Sequence, residues 1–250
     1  MKRLIVSTFL FLFCLVPFAC EDLEKIQTAV SEGDITAGLR EALSIGATRA
    51  GSQLSEPGGY FSNAAFKILL PADANALITK AYGIPIAGEA AKLALEPLIT
   101  AVVEKMNAGA EDAAKKAAPI FVSAITSMTV TDGRNILLGE DSAATNYLRV
   151  KTFSPLTNAF APKIDSAMEK VGAATAWKNL FETYNSYVTP ITISTLGLKA
   201  INPNLGQYAT EKALNGLFKK VSEEEKQIRD NPAQRTTDLL KRVFKLQDPE

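Results

Sequence analysis

The chain has 250 residues, of which 47% are hydrophobic and 22% charged, with 27 basic and 27 acidic side chains and no histidine. That composition excludes a disordered or collagen-like chain, and a domain of this size can bury about 70% of its unfolded surface without disulfides. The balanced charge offers no concentrated basic surface and argues against nucleic acid as a partner, the nearest approach being Lys241, Arg242 and Lys245. The missing histidine removes Ser-His-Asp and Cys-His catalysis, histidine zinc sites and histidine general bases.

Lys2 and Arg3 open the chain, residues 4–18 are apolar apart from Ser7, Thr8 and Pro17, and Glu21, Asp22 and Glu24 follow. The apolar run is shorter than the roughly 20 residues of a membrane-spanning helix, so residues 1–19 read as a signal peptide for export. Cys20 stands after Ala19, where a bacterial lipoprotein carries its acylated cysteine. Val16, Pro17 and Phe18 depart from the leucine and two small residues of that motif, and ordinary cleavage near Ala19 is the competing outcome. Cys14 leaves with the leader, so Cys20 becomes the only thiol of the mature chain. An odd thiol in an oxidising compartment is a liability that acylation resolves. The expected location is the periplasm or, with Cys20 acylated, a membrane to which the protein is anchored.

Residues 20–33 form an acidic tether or a first short helix, and residues 34–246 read as a single helical domain, since no linker rich in Pro, Gly or Ser divides them. Asp34 is placed as the N-cap of a helix with Gly38, Leu39, Ala42, Leu43, Gly46, Ala47 and Ala50 on one stripe, ending before Glu56-Pro57-Gly58-Gly59. Residues 66–70 form a strand or a buried extended segment. Pro71 opens the next helix, which ends at Gly83 and Pro85. Residues 86–128 are helical, with Leu93, Leu98, Val102, Met106 and Phe121 on the apolar side and breaks or kinks expected at Pro97 and Pro119.

Asp132 or Thr131 starts a short helix to Leu138, Asp141 caps one through Lys151, and Ser154-Pro155 opens another that Gly172 ends. Trp177, Leu180, Phe181, Tyr184 and Tyr187 share a helix face. Residues 189–195 are β-branched and read as loop, because a lone strand has nothing to pair with. Helices over 208–228 and 232–244 complete the chain, joined by Asn231 as N-cap and Pro232 at the first helical position. The expected fold is therefore all-α, a compact bundle of roughly eight to ten helices with a proline-broken long helix and little or no sheet.

Two polar sets stand out. Asn107 and Glu111 lie four residues apart on one helix face, and Asp132, Thr145 and Arg149 could join them in a pocket where Glu111 acts as a general base or cation ligand. The plainer reading makes them tethers between helices and carries more weight. Arg229 follows Glu225 by one helical turn, and Arg229, Arg235 and Thr236 form either an anion site or a helix corner held by caps and salt bridges, the latter favoured. The aromatic face at Trp177 reads as core, although it would also suit a lipid cavity. No metal site and no cofactor is implied.

Several stretches together resemble a known bacterial family: Ile68-Leu69-Leu70-Pro71; Asn107-Ala108-Gly109-Ala110-Glu111 into Ala118-Pro119-Ile120-Phe121; Asp132 with Ile136-Leu137; Ala143-Ala144-Thr145; and the run from Glu224 to Pro232 into Arg235-Thr236-Thr237. The family is the one known as domain of unknown function 4197, and the resemblance spans residues 35–244. It implies a helical exported protein and no activity. Gly109 and Gly133 depart from it, a larger residue being expected at the first and alanine at the second.

The leading functional reading is a non-catalytic envelope protein that binds another protein or an envelope component, tethered to a membrane if Cys20 is acylated. The alternatives are a carrier of a hydrophobic small molecule in a helical cavity and a carboxylate-based hydrolase.

Overall fold

The computed structural model describes residues 30–82, 87–170, 172–186, 189–196 and 199–247. The expectations for the signal peptide, Cys20, Gly83, Pro85 and Tyr187 lie outside the described residues. Every regular element described is helical, in agreement with the all-α reading.

Helix α1, Glu32–Ser55, runs through the middle of the bundle and packs on helices from both halves of the chain. Its N-cap is Ser31, and Asp34 sits three residues inside. The Ser31 hydroxyl accepts from the Asp34 N–H and the Asp34 carboxylate accepts from the Ser31 N–H, each at 3.1 Å. This capping box corrects the placement of Asp34 as the cap itself. The small-residue stripe is buried from Gly38 to Leu54, and the chain turns at Gly58, whose φ of 84° favours glycine.

Residues 66–71 then run without helix into α2, Ala72–Tyr82. Helix α3, Ala87–Ala114, passes through Pro97 unbroken, and the expected break lies at Lys115 and Lys116 instead. Pro97 is exposed, so the carbonyl it leaves unbonded can turn to water. Pro119 falls within the first turn of α4, Ala117–Thr126, where a missing N–H costs no helical bond.

Helix α5, Val130–Leu137, carries a second capping box in which Thr129 caps and Asp132 is the third helical residue. Helix α6, Ala143–Glu169, is one rod where two helices were expected. Pro155 and Pro162 are both exposed, while Leu148, Thr152, Leu156, Phe160, Ile164 and Met168 bury a stripe of four-residue spacing on the opposite face. Packing of that stripe outweighs two lost bonds on the wet side.

Gly172, with φ of 65°, turns the chain into α7, Ala173–Ser186. The stretch expected as loop contains a short helix α8, Pro190–Leu196, started by proline at its first position and by the Ile193 N–H bonding the Thr189 carbonyl at 2.9 Å. Helix α9, Leu205–Asp230, is capped by Asn204. The last expected helix is divided: a 3-10 turn, Pro232–Gln234, precedes α10, Asp238–Phe244, which Thr237 caps. The division arises at Arg235, whose side chain turns inward to the end of α9.

The core joins α1, α3, α4, α6 and α9, with Phe121 edge-on to Phe218 at 5.9 Å. Both glycines that depart from the family pattern sit where helices cross closely. A Cβ on Gly109 of α3 would lie 2.8 Å from the Ile164 Cα of α6, and one on Gly133 of α5 would lie 2.8 Å from the Thr36 hydroxyl of α1. Gly109→Ala is therefore expected to destabilise the protein by about 1–3 kcal/mol, because overpacking a rigid crossing outweighs a helix-propensity gain of about 1 kcal/mol. Chemical denaturation of the two proteins measures the difference.

Candidate functional site

The sequence singled out polar side chains, and the structure distributes them over separate places. Asn107, fully buried on α3, bonds both main-chain groups of Ile68: its Oδ1 accepts from the Ile68 N–H and its Nδ2 donates to the Ile68 carbonyl, each at 2.8 Å. One turn on, Glu111 accepts from the Tyr60 and Phe61 N–H groups at 3.1 Å each. Together these two side chains hold the non-helical stretch between α1 and α2 against α3. The buried Tyr60 phenol donates to the Ala213 carbonyl at 2.9 Å, and burial pushes it well above its ordinary pKa.

Asp132 is elsewhere, at the start of α5. Bonds from the Thr129 N–H and hydroxyl hold its carboxyl below the usual carboxylate range. Arg149 is half-buried on α6, where it donates to Asn215 Oδ1 at 2.5 Å and lies over the Phe218 ring at 5.1 Å. Asn107 and Glu111 thus share one function, and Asp132, Thr145 and Arg149 do not join them.

Thr145 belongs to a buried network at the other end of the bundle. Glu225 of α9 accepts from the Ala144 N–H at 3.0 Å, from the Thr145 N–H at 2.8 Å and from the Thr145 hydroxyl at 2.7 Å. It serves as the N-terminal cap of α6, the place expected for Asp141; Ser142, which precedes the helix, makes no side-chain cap. Arg229 pairs with Glu225 at 3.0 Å and also donates to the Ile136 carbonyl at 2.9 Å. Arg235 donates to the Ile228 and Arg229 carbonyls, satisfying the open end of α9. Both arginines are buried, at 7% and 3% exposure, and Thr236 beside them is exposed. The donors of these two arginines that the anion reading would use point at the protein's own acceptors.

An apolar concavity lies between α3 and α7. Leu95, Leu98, Ile99 and Val102 of α3 face Trp177, Leu180 and Phe181 of α7, with Ile78 of α2 and Leu70 closing one side, around a cleft of about 270 Å³. The Trp177 and Phe181 rings lie 4.4 Å apart, tilted by 51°, and are buried, with the Trp177 indole N–H donating to the Asn202 carbonyl at 3.3 Å. The rim stays open: Leu98 is 61% exposed and Leu180 58%. By contrast, the space beside Leu39, Leu43 and Val221 is about 20 Å³, on the order of one water. The apolar cleft between α3 and α7 is thus open at its rim.

Sequence reading identified the α7 half of this cleft as an aromatic face but assigned it to the core. The α3 half was not legible: Leu98 keeps the four-residue rhythm of Val102, Met106 and Ala110 and so reads as core, yet Leu98 and Leu93 are exposed.

Helices packed on helices, with polar side chains spent on capping and tethering, describe an all-α bundle. The family model described as "Protein of unknown function (DUF4197)" matches residues 29–245, and the chain belongs to that family. No curated protein and no solved structure matches it.

Proposed function

We propose that this protein works at the bacterial cell envelope as a non-catalytic binding protein whose cleft between α2, α3 and α7 takes part of a hydrocarbon chain, such as a lipid acyl chain. The cleft carries the reading. At about 270 Å³ it falls just below the roughly 300–1,000 Å³ of small-molecule pockets and cannot admit a helix about 10 Å across. Its walls are aliphatic and aromatic, so affinity would come from burial, about 0.8 kcal/mol per methylene.

Export is supported by Lys2 and Arg3 ahead of the apolar run 4–18, and anchoring by Cys20 at its end. No described helix is long and apolar enough to cross a membrane. A protein held at the membrane surface through Cys20 would present its cleft within reach of lipid.

Native mass spectrometry of the full-length product, expressed with its leader and released in mild detergent, tests both parts. Diacylglycerol on Cys20 would establish the anchor, and a second, non-covalent lipid mass would establish the occupant. Leu98→Glu, at an exposed rim position, should remove the non-covalent mass and leave the covalent one. An occupant retained by that variant, or no occupant in either protein, counts against the cleft.

A further inference from the structure

A second surface, sharing only Leu70 with the cleft, carries its own proposal. Phe66, Ile68 and Leu70 are buried while Lys67 is half-buried and Leu69 is 59% exposed, the alternation of a strand. Ile68 turns both main-chain groups to Asn107. In extended chain the neighbouring residue turns its groups the opposite way, so the Leu69 N–H and C=O point away from α3. Among the described residues neither has a hydrogen-bond partner.

On that side lies a groove of about 760 Å³, walled by this segment, by residues 200–202 and by the Tyr208-to-Lys219 face of α9. No residue of α3 lines it. Lys67, Lys212 and Lys219 line it against a single acid, Asp73. None of the three lysines is ion-paired among the described residues; they rest over the rings of Phe61, Tyr208 and Phe66. Lys212 and Lys219 are seven residues apart on α9, about 10 Å along its axis and so about three residues of extended chain.

We propose that this groove docks an acidic segment of a partner protein in extended conformation, which adds a second strand to the Leu69 edge and sets its carboxylates against Lys212 and Lys219. An unpaired strand edge is a template for such addition, with main-chain bonds giving affinity and the flanking charges giving selectivity. A helical partner would leave the Leu69 groups unpaired, and a bare anion would use the lysines and ignore them.

The test selects random octapeptides displayed on phage against the full chain. The enriched pool should carry an excess of Asp and Glu. A synthetic peptide from it should bind at least tenfold more weakly to the K212E/K219E double variant, whose two positions are exposed. The same peptide should slow hydrogen exchange at the Leu69 amide at least tenfold and leave Ile68, already bonded to Asn107, unchanged. A selection with no enrichment, a pool without acidic excess, affinity kept by the double variant or an unaltered Leu69 amide each overturns the proposal.

Discussion

Glu225→Ala is expected to lower the stability of the protein by about 3–5 kcal/mol, the cost of removing one member of a buried ion pair. Glu225 and Arg229 have side chains only 7% and 5% exposed. Alanine at position 225 strips α6 of the acceptor for the Ala144 and Thr145 N–H groups and leaves a buried guanidinium whose other contact is the neutral Ile136 carbonyl. Replacing both members by methionine should cost less than the single change, since no uncompensated charge remains. Urea unfolding of the single and double variants measures this. A double variant as unstable as Glu225→Ala would show that the helix cap, and not the charge pair, holds this end of the bundle.

Asn107→Ala is expected to cost about 2–4 kcal/mol, because two buried main-chain groups of Ile68 lose their partner and each such loss costs about 1–3 kcal/mol. Asn107→Leu should do no better, although it restores volume, since leucine offers the Ile68 N–H and C=O nothing. The damage should begin locally. Hydrogen exchange should speed first at Ile68, while the amides of α9 keep their protection until global unfolding. A loss below about 0.5 kcal/mol in either variant would mean that the Asn107 amide does not hold the segment.

These two sites also show what a sequence can and cannot disclose. The stripe of α1 was legible because a buried helix face repeats at three and four residues, and the cap at Asn231 follows a local chemistry, whereas Asn204 caps α9 ahead of the expected start at residue 208. Ser31 and Thr129 were missed in favour of Asp34 and Asp132 because a capping box places an acceptor at both ends of a four-residue window, and both ends look like caps. Pro155 looked like the start of a new helix, yet it lies with Pro162 on the wet face of α6, where packing of the other face decides. The cap that Glu225 gives to α6 joins residues 80 positions apart, and no local rule points to it. The cleft was half legible for the same reason: Trp177 and Phe181 announce an apolar face, but only tertiary packing sets Leu98 and Ile99 across from it and leaves a gap between.

Trp177 is the only tryptophan of the chain and lines the cleft, so its emission reports on that place alone. The most direct measurement is a fluorescence titration of the protein with a medium-chain fatty acid brominated near its tail, against the unbrominated acid as control. The expected result is saturable quenching by the brominated chain, little change with the control, and loss of quenching in Leu98→Glu. Quenching that never saturates, or that Leu98→Glu leaves intact, would contradict a hydrocarbon site between α3 and α7.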